Sequence, residues 1–171
     1  TDPGRALAAL RDAVAAFADA ELDPVQALRS ALDHLIRVTA AGAGAVGVRG
    51  QDGEVRLVAE RRLGGAEPIS RTALADALAD EDGRAVLGEP PESGSVVQGV
   101  ITSILCVPVR RRGQTLAAVY LDRRGASPTF DETARDLAAS FAATLALSVD
   151  LTGRLQAVET RREQAEEQAR E

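Results

Sequence analysis

The side chains equipped for chemistry are few in this sequence, and each type stands alone. Cys106 is the only cysteine, His34 the only histidine and Tyr120 the only tyrosine. A single cysteine rules out an internal disulfide and a multi-cysteine zinc site. Cys106 sits between Leu105 and Val107 in a strand-like run. No base or further ligand lies close by in sequence, so it reads as a buried core thiol. His34, flanked by Asp33 and Leu35, falls on a helical stretch and reads as a solvated helix histidine. Arg110-Arg111-Arg112 is able to contact phosphate, but three arginines at a hairpin turn read as a solvated tip. There is no glycine-rich phosphate loop, no Ser/His/Asp set and no paired-carboxylate site. The expectation is therefore no catalytic residue, no metal ligand and no cofactor. Tyr120 differs, because a buried tyrosine needs a hydrogen-bond partner for its hydroxyl, and a ligand is one candidate.

The elements that position these residues follow from hydrophobic spacing. Leu7, Leu10, Val14 and Phe17 form one stripe of an amphipathic helix over residues 4 to 18. Asp23-Pro24 is an N-cap followed by a proline at the first helical turn. The helix it starts should bury Val25, Leu28, Leu32, Leu35 and Ile36 and end near 40 to 44. Residues 45 to 49 and 54 to 60 alternate around Gln51-Asp52-Gly53, a hairpin signal. A short helix over 70 to 79, a brief strand over 84 to 87 and a polar loop over 88 to 99 come next.

The plainest β signal is the pair 102–110 and 115–123. A turn at Arg112-Gly113 pairs Cys106 with Val119 and Leu105 with Tyr120. One face then carries Ile104, Cys106, Pro108, Ala117, Val119 and Leu121 and is wholly apolar. The other carries Ser103, Leu105, Val107, Leu116, Ala118, Tyr120 and Asp122 and is more polar, so the sheet should be covered on both sides. Asp131 caps a long closing helix through Leu137, Phe141, Leu145 and Val149. Its pattern thins to Leu151, Leu155 and Val158 at heptad spacing before the charged run 159–171.

Composition excludes several classes. With 171 residues, 45% hydrophobic and 27% charged, the chain suits one globular domain. A net charge of −6 disfavours direct nucleic-acid binding. No eighteen-residue apolar window and no signal-peptide pattern occur, so neither membrane association nor export is expected, and a cytoplasmic location fits. All the basic residues are arginine and alanine abounds, which we read as the usage of a GC-rich bacterial genome. The absence of methionine suggests a piece of a longer protein, with the last helix running on toward something downstream.

Helix, helix, two strands, helix and loop, strand hairpin, long helix is an α+β order, an antiparallel sheet sandwiched between helices with long N- and C-terminal helices. The run from Val100 through Ile104-Leu105-Cys106-Val107-Pro108 to Val109 resembles a signature strand of GAF domains. Arg112-Gly113 with the segment Leu116 to Asp122 resembles its hairpin partner, and Phe130-Asp131-Glu132 the start of the closing helix. PAS domains, with a related sheet, are the competing fold. The resemblance implies residues 1–22 as an N-terminal dimerisation helix, 23–150 as a GAF sensor domain, and 151–171 as the start of a signalling helix. That helix would lead to an output domain, as in sigma-54-dependent regulators, histidine kinases or nucleotide cyclases.

The resemblance also implies a ligand pocket on the more polar strand face. Its floor would be Ser103, Leu105, Tyr120 and Asp122, its cover Leu74, Leu78, Val97 and Ile101. The alternative is a collapsed cavity in a ligandless dimerisation module. A homodimer is expected through Leu7, Leu10, Val14 and Phe17 with Leu151, Leu155 and Val158. Three specialised branches of the family are disfavoured. Methionine-sulfoxide reduction needs a second cysteine. Pigment attachment needs a Cys followed by His, and Cys106 is followed by Val107. The cyclic-nucleotide signature needs Asn and Lys, which this chain lacks.

Overall fold

The structure, a computed structural model, describes residues 24–49, 53–63, 68–80, 86–88, 101–125 and 127–147. The N-terminal stripe Leu7, Leu10, Val14 and Phe17, the cover residue Val97, and Leu151, Leu155 and Val158 lie outside them, as do the expected dimerisation helix over 1–22 and signalling helix over 151–171.

Helix α1 spans Pro24–Thr39 and begins at its proline, whose fixed φ suits a first helical turn. Ala31, Leu32, Leu35 and Ile36 form its buried stripe. It closes in a Schellman geometry. The Ala41 N–H donates to the Ile36 carbonyl at 3.0 Å, and the Ala40 N–H to the Arg37 carbonyl at 3.4 Å. Ala40 stands at φ 51°, where glycine would be unstrained.

Strands β1 (Ala43–Arg49) and β2 (Val55–Arg62) form the first hairpin, and α2 (Arg71–Ala79) follows. The Ser70 hydroxyl caps α2 by accepting the Ala73 N–H at 3.3 Å. A short β3 (Val86–Gly88) leads on to β4 (Ile101–Arg111) and β5 (Gln114–Arg124). Arg112 and Gly113 both have positive φ, 50° and 81°, as a two-residue type I′ turn requires. A helix over 132–147, here α3, is capped by Asp131, whose Oδ1 accepts the Ala134 N–H at 2.8 Å.

The five strands are ordered β2-β1-β5-β4-β3, with every pairing antiparallel, so β5 is the central strand. On one face α1 and α3 bury Leu105, Val107, Val109, Val119 and Leu121 together with Phe130 and Phe141. On the other, α2 supplies Leu74, Ala77 and Leu78 against Ala43, Ala45, Ile104, Cys106 and Tyr120. Gly44 lets α1 approach closely, since a Cβ there would stand 3.0 Å from Ile36 and Leu121 side-chain carbons. The α+β sandwich expected from the element order is the fold observed.

The hairpin register differs from the expected one, and the difference is physical. The Arg112-Gly113 turn is where the sequence placed it, pairing Arg111 with Gln114 and Arg110 with Thr115. A bulge follows: Val109 pairs with Ala117, leaving Leu116 as the extra residue on β5. Cys106 therefore faces Tyr120, and Leu105 faces Leu121. A one-residue slip turns a strand's side chains to the opposite sheet face. Leu105 lies on the α1/α3 face, and Cys106 joins Tyr120 beneath α2.

Candidate functional site

Alternate residues of one strand share a sheet face, so Tyr120, Asp122 and Arg124 project together from β5 on the α2 side. Asp122 exposes none of its surface, nor does Tyr120. Burying a carboxylate is costly unless it is paired and hydrogen-bonded, and here it is both. The Tyr120 hydroxyl donates to Oδ2 at 3.1 Å. The Arg124 guanidinium grips the carboxylate in a two-pronged contact, Nε to Oδ1 at 2.8 Å and Nη2 to Oδ2 at 2.9 Å. Arg124 is itself only 12% exposed. Small neighbours surround the trio: Ala45 pairs with Tyr120 and Ala43 with Asp122. The next turn back, Gly42, would place a Cβ 3.6 Å from Oδ1.

The electrostatics keep both ionisable hydrogens of this face in place. Burial drives the Tyr120 phenol far above its usual range. The Asp122 charge and its hydrogen bond push the same way, against a bond with the Ser70 backbone. Burial also drives the Cys106 thiol far above the thiol range, with the Asp76 charge adding to it. A protonated, 1% exposed thiol is a poor nucleophile. What the arrangement can do is hold one buried negative charge between a neutral phenol and a cation.

The expected pocket residues divide between the two faces. Tyr120 and Asp122 share theirs with the cover residues Leu74, Leu78 and Ile101, and Tyr120, Leu74, Leu78 and Ile101 pack in one cluster. Ser103 and Leu105 do not belong with them, because the bulge at Leu116 turns that part of β4 away. The Ser103 hydroxyl instead accepts the Phe130 N–H at 3.2 Å at the entry to α3. Cys106 is in the core, as expected, but on the Tyr120 face. The partner Tyr120 needs is Asp122, two residues away. Arg124 was missed, although Tyr-x-Asp-x-Arg on one strand was there to be read as a same-face row. His34 is half-buried on α1, on the opposite side of the sheet. Arg110 and Arg111 are half-buried and Arg112 exposed, with Arg110 Nη2 donating to the Gly113 carbonyl at 2.9 Å across the tip.

An antiparallel sheet with α2 over a buried charged face, and α1 and α3 closing the other, defines a three-layer α+β domain. The chain belongs to the GAF domain family, whose profile matches residues 21–150. Its fold is similar to the GAF domain of a protein classed as a sensor histidine kinase from Pseudomonas syringae pv. tomato. The two share 19% identity with a TM-score of 0.69, over 91% of this chain and 94% of that one. It is also similar to the free methionine-R-sulfoxide reductase of Neisseria meningitidis, solved with its substrate. There identity is 18% and the TM-score 0.71, over 91% and 95% of the two chains. The GAF domain of a phosphoenolpyruvate-protein phosphotransferase from Coxiella burnetii matches at 18% identity and a TM-score of 0.68, over 92% and 99%. At such identities these likenesses speak for the fold. Comparison with curated proteins gives no match. Among the described residues no helix is long and apolar enough to cross a membrane.

Proposed function

We propose that this chain is the regulatory sensor domain of a cytoplasmic signal-transduction protein, responding to a small molecule at the Tyr120–Asp122–Arg124 face. Its state passes through dimeric terminal helices to an output domain, for which a sigma-54-dependent transcriptional activator is our choice. The homodimer would use Leu7, Leu10, Val14 and Phe17 with Leu151, Leu155 and Val158, with no part for nucleic acid or membrane. The observation behind the reading is the fully buried Asp122. A buried ion pair stabilises little compared with apolar side chains of the same volume, so a plain scaffold has small use for one. The GAF domain of the Pseudomonas protein classed as a sensor histidine kinase supports a signalling setting. We propose no catalysis: a single protonated cysteine suits neither nucleophilic attack nor sulfoxide reduction.

One observation favours a second reading, a ligandless dimerisation module of a histidine kinase or nucleotide cyclase. Asp122 already accepts three internal hydrogen bonds, so the face needs no ligand to be satisfied. A thermal-shift panel of metabolites separates the two. A ligand at a hundred times its dissociation constant adds about 2.7 kcal/mol. The sensor reading expects such a shift, weakened in Tyr120→Phe. If no compound moves the transition, the second reading stands.

A further inference from the structure

Arg123 lies between Asp122 and Arg124 on β5 and points to the opposite face. It is 7% exposed, a cation in an apolar setting. Its Nη2 donates to the Thr39 carbonyl at 2.6 Å, at the C-terminal end of α1. Its Nη1 donates to the Pro128 and Thr129 carbonyls at 2.8 and 2.9 Å. The guanidinium carbon stands 4.5 Å from the centre of the Phe130 ring. Among the described residues it has no carboxylate partner, and its Nε makes no hydrogen bond. Everything that holds this charge is therefore either the dipolar end of α1 or the segment that enters α3.

We infer that Arg123 is a positioning residue that couples the Tyr120–Asp122–Arg124 face to the entry of α3. The inference rests on that face being the responsive one. Neighbouring strand residues share a backbone, so a change in the grip of Arg124 on Asp122 alters the local twist of β5 and swings Arg123. Its three donor contacts are short and reach two separate segments, leaving little slack before one breaks. The same entry is tied to the sheet twice more. Ser103 accepts the Phe130 N–H at 3.2 Å, and the Thr102 hydroxyl donates to the Ser127 carbonyl at 3.4 Å. With Phe130 and the 127–130 segment anchored this way, α3 has its starting point set by β5 rather than by its own packing alone. The strand thereby has the site on one face and the helix anchor on the other.

The test needs no ligand. Amide hydrogen exchange of Phe130, Ala134 and Arg135 is followed in Tyr120→Phe and Arg124→Gln, with the amides of β2 as the internal reference. Coupling predicts faster exchange at the three amides, by about threefold or more, with β2 unchanged. It also predicts that the same changes made in an Arg123→Lys background leave the three amides near that background's own rates. A lysine keeps the charge but cannot span both carbonyl groups. If Arg123→Lys does not fold, Phe130→Leu serves instead, removing the ring beneath the guanidinium while keeping an apolar side chain. It should then at least halve the response. Unaltered exchange in both site variants, or an undiminished response in the Arg123→Lys or Phe130→Leu background, overturns the inference. A negative metabolite screen bears on the ligand and leaves this result standing, and the reverse holds too.

Discussion

Raising the pH above 10 should destabilise this protein through Tyr120, and the chain is unusually suited to showing it. It has no lysine, one tyrosine, one cysteine and no tryptophan. Arginine stays charged throughout, so between about pH 9 and 12 only Cys106 and Tyr120 have protons to lose. In the folded state both hold theirs more tightly, chiefly because burial disfavours the anion, with Asp122 repelling a phenolate beside it. The unfolded chain releases them at ordinary values, so above pH 10 it binds fewer protons than the native state. Stability then falls as pH rises, and each contribution is fully present only below its own unfolded value, about pH 8.5 for the thiol and about pH 10 for the phenol.

With a native phenol that stays neutral, the loss from Tyr120 alone is about 0.4 kcal/mol at pH 10 and about 2 kcal/mol at pH 11.5. Replacing Cys106 by alanine removes the thiol's share and isolates this limb. In that background Tyr120→Phe should be less stable at pH 8 by about 1.5–3 kcal/mol, because a hydrogen bond to a charged carboxylate is lost. The gap should shrink by about 2 kcal/mol by pH 11.5, since phenylalanine has no proton to shed. Urea unfolding at pH 8, 10 and 11.5 measures it, with tyrosinate absorbance of the native protein as a second readout. A native tyrosine that ionises near pH 10, or a gap that stays constant, would refute the buried Tyr120–Asp122 pair.

Asp122→Ala should destabilise the domain by about 3–5 kcal/mol, because it removes both carboxylate contacts of the largely buried Arg124 and the acceptor of the Tyr120 hydroxyl, and chemical denaturation reads the difference. Ala40→Gly should stabilise by about 0.5–1 kcal/mol. It relieves a left-handed backbone at an exposed position, net of the extra freedom glycine gains when unfolded, and an equal or lower urea midpoint would contradict the Schellman geometry. Cys106 should react slowly with a thiol reagent in the native protein and fast in denaturant; fast native labelling would contradict its placement under α2.

The legible parts of the molecule were those set by period and punctuation. The buried faces of α1 and α3 could be read from Leu32, Leu35 and Ile36, and from Phe141 and Leu145. Pro24, Ser70, Asp131 and Arg112-Gly113 mark ends and turns by their local chemistry alone. The site was half legible. Tyr120 and Asp122 were placed together and under Leu74, Leu78 and Ile101, because a period of two along a strand is hard to misread. Arg124 escaped because it continues a run of charges at a strand end, which reads equally well as solvent-facing. The bulge escaped for a different reason. Both rows of β4 are apolar from Ile104 to Val109, with Ile104, Cys106 and Pro108 on one and Leu105, Val107 and Val109 on the other, so no polar residue in that stretch betrays a slip.

Why the chain adopts the bulged pairing is answered from β5, the strand that does carry polar residues. Asp122 tolerates only a face where its charge is met, and Tyr120 and Arg124 meet it beneath α2 while Ala43 and Ala45 leave them room. Turning β5 over would drive the charged row of Asp122 and Arg124 among Leu32, Ile36 and Phe141, and would pull Arg123 off the Thr39, Pro128 and Thr129 carbonyls. β5 is thus held by its electrostatics, and β4 is the strand free to choose. Without the extra residue at Leu116, β4 would set Ile104, Cys106 and Pro108 against α1 and α3. The branched Leu105, Val107 and Val109 would then crowd the small helix α2. With it, the larger apolar row meets the two longer helices and the smaller row the shorter one. A bulge disrupts one step of the ladder next to an exposed turn, a lesser loss than mispacking either face.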